Sequence, residues 1–227
     1  MVRFFHVARA YGPREVLSDV TLSVDGETVL IAGAAGAGKS ALLRLLCGLE
    51  SPTRGWITVD GLPLVARASD VLAAHRRRLA VVPQRTLLVG RRTAIQNVAL
   101  ALEQQGVPPG AAQERASAAL SRVGCEPIAD RLAKDLSVGE RRLVSLARAL
   151  VREDARLVLA DEPAAGLDST TQSLVGALLT EQARRGATVI VASQQPGLAG
   201  LETDRVVFLD HGRIAWDSRA ARASEAS

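Results

Sequence analysis

Thr28-Val29-Leu30-Ile31-Ala32-Gly33-Ala34-Ala35-Gly36-Ala37-Gly38-Lys39-Ser40 is the stretch on which the fold turns. Its first five residues are β-branched or apolar and predict a buried strand. The next eight fit the spacing G-x-x-x-x-G-K-[ST]. Small residues there let backbone N–H groups converge on phosphate oxygens at a helix N-terminus, while a lysine reaches the outer phosphates and a hydroxyl serves Mg²⁺. From Ser40 the pattern turns helical, with Leu42, Leu43, Leu45, Leu46 and Leu49 on one broad face before Ser51-Pro52 stops it. Gly33, Ala34, Ala35, Gly36, Ala37, Gly38, Lys39, Ser40 and Ala41 are therefore candidate nucleotide ligands, with Ser40 also a candidate metal ligand.

Working outward, strand patterns occur at 2–8, 20–24 and 55–60, and a helical stretch follows before the strand 79–82 ended by Pro83. Residues 93–152 read as mostly helical, with loops around 106–110 and 124–134. Strands at 157–160, 187–192 and 205–209 come next, with a helix at about 169–185. Strands alternating with helices predict an α/β fold with a mainly parallel, covered sheet. The tail 218–227 has no periodicity and is expected to fray.

Arg156-Leu157-Val158-Leu159-Ala160-Asp161-Glu162 is a buried strand ending in two acids. At the C-terminal edge of a parallel sheet, Asp161 can hold Mg²⁺ through water, and Glu162 can orient or deprotonate an attacking water. Alone, Asp-Glu after a strand is as often a turn or a helix start; here it follows a phosphate loop.

Composition excludes more than it assigns. Of the 28 basic residues only Lys39 and Lys134 are lysines, so one of the two sits at the phosphate loop, where a flexible point charge serves better than a planar guanidinium. The net charge of +4 does not call for nucleic acid, and none is expected as a partner. Cys47 and Cys125 form no C-x-x-C pair, the N-terminus carries no secretory pattern, and no run of about 18 apolar residues could span a bilayer. A reduced, cytoplasmic location is expected, with any membrane role coming through a partner.

With these residues in hand, the chain resembles the ATP-binding-cassette (ABC) ATPases over nearly its whole length. The resemblance implies a P-loop NTPase fold of ABC-type architecture: one domain over 1–217, with a core at about 1–84 and 153–217, an N-terminal antiparallel β subdomain, and a helical subdomain at about 85–152. It also implies ATP and Mg²⁺ as ligands. Tyr11 stands where the family stacks an aromatic on adenine, and Gln84, after Val81-Val82-Pro83, resembles the glutamine that touches Mg²⁺ and senses the γ-phosphate. Leu136-Ser137-Val138-Gly139-Glu140 is similar to the L-S-G-G-Q/E signature, and Gly166-Leu167-Asp168 to the D-loop. Ser137, Gly139, Glu140 and Asp168 are thus further candidate nucleotide ligands, acting from the second copy of a head-to-tail homodimer that sandwiches two ATPs. Ser137-x-x-Glu140 is equally a capping box for the helix that follows, and both roles can hold at once.

Within the family, Val2-Arg3-Phe4, Leu46-Cys47-Gly48-Leu49-Glu50, Arg92-Thr93 with Asn97-Val98, and Leu159-Ala160-Asp161-Glu162-Pro163 are most similar to the cell-division (FtsE) branch. Lipoprotein-release and efflux branches share several of these stretches. The implied partner is an integral membrane subunit, FtsX-like or a permease, and the implied place is the inner face of the cell membrane. Arg85-Thr86-Leu87-Leu88-Val89-Gly90-Arg91-Arg92, an apolar stretch between basic residues, suits a groove for a short helix from such a subunit, or a buried loop anchor.

Two positions depart from the family pattern. Val138 replaces the first signature glycine, and Ser193-Gln194-Gln195 stands where a switch histidine is expected. Gln194 can donate a hydrogen bond to the γ-phosphate but cannot relay a proton. The expectation is intact ATP binding with hydrolysis that is slow or stimulated only in the assembled complex, Glu162 and Gln194 being the candidate catalytic residues; a weakly hydrolysing, nucleotide-gated switch module is the alternative.

Overall fold

The computed structural model describes residues 1–64 and 69–225. Strands β1 (Val2–Tyr11) and β2 (Arg14–Val24) form a long antiparallel pair, and β3 (Thr28–Ala32) runs into the phosphate loop. Helix α1 (Lys39–Leu46) follows, then β4 (Arg54–Val59), β5 (Leu62–Pro63), α2 (Ser69–Arg77) and β6 (Leu79–Val82). A helical section comprises α3 (Ala94–Glu103), α4 (Pro109–Arg122) and α5 (Val138–Leu150). The chain closes with β7 (Leu157–Asp161), α6 (Ser169–Arg184), β8 (Thr188–Ser193), β9 (Arg205–Asp210), β10 (Arg213–Asp217) and α7 (Ser218–Glu225).

Two sheets result. The larger has the order β10-β9-β3-β8-β7-β6, parallel except for β10, and the smaller is antiparallel in the order β2-β1-β4-β5. Every residue of β3 and of β8 is buried, as a strand covered on both faces requires. One apolar cluster lies between the large sheet and the helices α3 to α6; the other lies between that sheet, α1 and the antiparallel sheet. At about 25 cal/mol per Å² of buried apolar surface, these two clusters are the main source of stability. No helix among the described residues is long and apolar enough to cross a membrane.

The mainly parallel sheet, the antiparallel sheet and the helical section agree with the sequence expectation, and four local features differ from it. Strand β2 starts at Arg14 rather than Val20, because pairing with β1 from Tyr11↔Arg14 onward outweighs its mixed polarity. Helix α1 stops at Leu46, before Ser51: Gly48 takes φ 62, and a Cβ there would meet Leu72 Cδ2 at 2.4 Å. Strand β10 was not anticipated; it pairs with β9 at the end of the sheet.

The tail does not fray as expected. Ser218–Glu225 is helical because polar anchors replace the missing apolar stripe: Val206 N donates to Ser218 Oγ at 3.1 Å, Arg219 N to Asp217 Oδ1 at 2.9 Å, and Arg222 Nη2 to Asp204 O at 3.2 Å. Ala226 and Ser227 lie outside the described residues.

Candidate active site

The phosphate loop is wedged between the two sheets. A Cβ on Gly33 would lie 2.2 Å from Leu209 O, and one on Gly38, where φ is 108°, would lie 2.8 Å from Val16 O. Both positions need glycine on steric grounds. Helix α1 starts with no side-chain cap and no acidic residue in its first turn. Its leading N–H groups and the positive end of its dipole are therefore available to an anion. Lys39, 6% exposed, donates from Nζ to Gly33 O at 2.6 Å and to Ala34 O at 3.0 Å, and lies 3.7 Å from Glu162 Oε1.

The carboxylates arrive from the neighbouring strands. The β7–β8 register places Asp161 beside Ala192, with the Ser40 hydroxyl near enough to the Asp161 carboxylate to favour its charged form. Burial pushes the Asp161 carboxyl above its ordinary pKa, against the Ser40 hydroxyl and the charges of Lys39 and Arg44. Asp161 Oδ1 and Glu162 Oε1 are both buried without a hydrogen-bond partner. Glu162 is a non-glycine residue at φ 48°, held there by its N–H bond to Ala192 O at 2.9 Å. Such left-handed strain concentrates where a side chain must be aimed.

Two orphaned carboxylate oxygens beside a serine hydroxyl and a buried ammonium fit a hard, oxygen-seeking cation that keeps several waters, as Mg²⁺ does. Among the described residues there is no cluster of three or more His, Cys, Asp or Glu that would serve a softer metal.

Gln84 and Gln194 come to the same sheet edge. Val82 pairs with Ala160, so Pro83-Gln84 leaves the sheet beside Asp161, and Gln194 lines a 270 Å³ cavity with Glu162, Gly166 and Gln172. Both glutamines are exposed. The segment after Gln84 is pinned by carbonyl contacts from α5: Arg142 Nη2 to Gln84 O at 3.4 Å and Arg148 Nη1 to Leu87 O at 2.7 Å. Asn97, fully buried, holds its far end by accepting from Val89 N at 2.7 Å and donating to Thr93 O at 2.9 Å. Leu87 is exposed while Leu88 packs against the core, so the segment is both an anchored loop and a presented apolar surface.

Tyr11 lines a 230 Å³ groove with Gly36, Lys39, Ser40 and Arg44. Its hydroxyl donates to Glu50 and accepts from Arg44 Nη2 at 3.2 Å, and the Arg9 guanidinium sits 4.5 Å from its ring centroid. Arg44 and Glu50 are site residues that sequence reasoning did not single out. The available signal was a lone arginine inside the leucine-rich α1 and an acid placed just before Ser51-Pro52.

Ser137, Gly139, Glu140 and Asp168 form a second group. Ser137 N donates to Glu140 Oε2 at 2.6 Å and Glu140 N to Ser137 Oγ at 3.2 Å, completing the capping box of α5. The Ser137 bonds, with Arg131, hold the Glu140 carboxyl below its ordinary pKa. Asp168 caps α6 by accepting from Thr171 N at 3.0 Å. Among the described residues no hydrogen bond joins this group to the phosphate loop. Val138 is 70% exposed, and a Cβ at Gly139 would meet only Leu167 Cδ2, at 3.8 Å. The isolated chain therefore has no steric need for glycine at 139, although glycine in a helix costs about 1 kcal/mol relative to alanine. None of the three histidines lines the cavity of Glu162 and Gln194; His6 pairs with Asp19, His75 with Leu46 O, and His211 is in an exposed turn.

This geometry can be set against known proteins. Residues 17–165 match the family model described as "ABC transporter". The chain is 37% identical over 217 residues to the methionine import ATP-binding protein MetN of Brucella abortus, covering 95% of this chain but 58% of that protein's length. It is 36% identical over 216 residues to the cell division ATP-binding protein FtsE of Escherichia coli, covering 94% of this chain and 97% of that one. The two are about equally near, so the cell-division branch is not singled out. Among solved structures, the dimeric, post-hydrolysis ATP-binding cassette MJ0796 bound to ADP and Pi superposes with a TM-score of 0.88 at 29% identity, covering 96% of this chain and 98% of that one. The phosphate loop, the parallel sheet and these matches together establish that the chain belongs to the ABC transporter family of ATP-hydrolysing domains.

Proposed function

We propose that this chain binds ATP with Mg²⁺ on the phosphate loop and hydrolyses it slowly, as half of a head-to-tail homodimer that drives an integral membrane subunit. The observation that carries this reading is the pair of buried oxygens on Asp161 and Glu162 that have no hydrogen-bond partner, beside Ser40 and Lys39. Gly33 to Ala41 wrap the phosphates, Lys39 exchanges its carbonyl contacts for phosphate oxygens, and Tyr11 supplies a ring for the base. Ser40 and Asp161, with Gln84, would hold Mg²⁺, which neutralises phosphate charge when bound. Glu162 orients or deprotonates the attacking water, and Gln194 donates a hydrogen bond without relaying a proton.

The dimer reading is supported by Gly139 and Val138, an exposed helix N-terminus that the single chain neither covers nor needs. Approach of another copy's phosphate to that N-terminus would give the glycine its reason. The membrane partner would take up the surface around Leu87, and an FtsX-like subunit in a cell-division complex is the finer assignment. The stretches shared with the cell-division branch, among them Val2-Arg3-Phe4 and Leu46-Cys47-Gly48-Leu49-Glu50, support it; the ATPase subunit of a lipoprotein-release or efflux transporter is the alternative. On this reading residues 85–152 act as the helical subdomain of a single ATPase domain, at the inner face of the membrane.

Steady-state phosphate release by the purified chain tests the proposal. Glu162→Gln is expected to lower turnover by roughly 10²- to 10⁴-fold and to trap an ATP-dependent dimer visible by light scattering, while Gln194→His raises turnover. A wild-type rate like that of an ordinary transporter ATPase, unchanged by Gln194→His, would refute slow hydrolysis.

A further inference from the structure

The geometry points to a second ligand site, at the opposite end of the six-stranded sheet from the phosphate loop, that takes an amphipathic carboxylate. The cavity there measures 340 Å³ and opens between α2, β5 and the first residues of β7 and β8. That volume is in the range of small-molecule pockets, about 300 to 1,000 Å³. Its wall is aliphatic: Leu64 and Leu157 are buried at its base, and Leu62 and Val71 close its sides.

Three arginines, Arg77, Arg78 and Arg156, all exposed, line the same cavity. Arg78 and Arg156 stand on adjacent backbone positions, Arg156 N donating to Arg78 O at 2.8 Å and Leu157 N to the same carbonyl at 3.2 Å. None of the three has a carboxylate oxygen within 4.0 Å among the described residues. The other polar groups are already engaged. Asp60 accepts from the Met1 amino group at 2.7 Å, Thr188 Oγ1 accepts from Gly26 N at 3.2 Å, and His75 Nε2 meets Leu46 O at 2.7 Å.

An apolar cavity bordered by three arginines, with its one carboxylate, Asp60, already paired to the Met1 amino group, is complementary to an apolar body ending in an anion. A planar guanidinium fork matches a carboxylate in two parallel hydrogen bonds, and a bound carboxylate also relieves the repulsion between two neighbouring cations. The ligand class is therefore a medium-chain fatty acid or a carboxylate of similar shape. This site is separate from the nucleotide groove and does not rest on the hydrolysis reading.

Calorimetric titration of the full chain with sodium decanoate below its micellar concentration tests the site. Saturable binding of one decanoate per chain is expected, with 1-decanol and acetate each at least tenfold weaker. Ala74→Trp, which fills the cavity from an exposed position on α2, should abolish it, and Arg78→Gln with Arg156→Gln should weaken it at least tenfold. Both variants should keep the wild-type melting curve and ATP affinity. Absence of saturable binding to the wild type, or binding that survives Ala74→Trp, would overturn the site. Decanol binding as tightly as decanoate, or decanoate binding indifferent to the arginine substitutions, would overturn carboxylate recognition.

Discussion

Replacing Arg205 by methionine should cost this protein a large share of its stability without touching the nucleotide groove. Arg205 is 6% exposed and joins three parts of the chain: Nε and Nη2 donate to Asp217, the former at 2.8 Å, while Nη1 donates to Ser23 O at 2.7 Å and to Glu27 at 3.4 Å. Methionine keeps the apolar stem and removes every one of these bonds, leaving the Asp217 carboxylate, 15% exposed, without its main partner. Glu27 keeps Arg219. Breaking a buried ion pair from one side costs about 3 to 5 kcal/mol, against a total stability of about 5 to 15 kcal/mol for a domain.

The pH dependence has a definite sign. Burial works to raise the Asp217 carboxyl, but the bonds from Arg205 and the Arg219 N–H outweigh it, so its pKa in the fold is lowered. Its contribution is complete above the unfolded value near pH 4 and is lost as pH falls through the lower folded value. Urea unfolding followed by far-ultraviolet circular dichroism at pH 7 and pH 3 measures both effects. Arg205→Met should lower the stability at pH 7 by about 4 kcal/mol and shrink the difference between the two pH values. A loss under about 1 kcal/mol with an unchanged m-value would refute the reasoning, since that is what an exposed pair is worth.

Gly38→Ala introduces a Cβ 2.8 Å from Val16 O at φ 108°, and should weaken binding of a fluorescent nucleotide at least tenfold while lowering the melting temperature; unchanged affinity would contradict the wedged loop. Burial pushes the thiols of Cys47 and Cys125 up to about 11, so iodoacetamide at pH 8 should modify neither in the folded chain and both in urea, as read by mass spectrometry. Thr93→Ala removes the α3 capping box and should cost about 0.5 to 2 kcal/mol in the same urea titration, with Thr93→Ser recovering most of it.

The phosphate loop and strands β3, β7 and β8 were legible in sequence because each is a continuous apolar run whose end is marked by a residue of distinct chemistry. Glycine, lysine and a paired acid announce themselves where alternating surface strands do not. Strand β2 was half hidden because its exposed face is polar, and α7 was missed because groups distant in sequence, the Glu27 carboxylate and the Asp204 backbone carbonyl, hold it. Arg44 and Glu50 escaped notice for a related reason: their role depends on Tyr11, which reaches them only through the β1–α1 packing. The left-handed Glu162 is a backbone fact, and its residue type carries no sign of it.

The wedging of the phosphate loop has a kinetic consequence. Besides the two glycine contacts, Gly212 N donates to Ala37 O at 3.0 Å and Ser18 N donates to Gly212 O at 2.8 Å, so the turn after β9 and strand β2 brace the loop from outside. A loose loop of this kind would lose about 1 to 2 kcal/mol per residue in ordering itself around a ligand. Here that ordering is complete before any ligand arrives. Nucleotide capture should then be a single fast encounter rather than a slow enfolding, with differences in affinity between nucleotides expressed in their rates of escape.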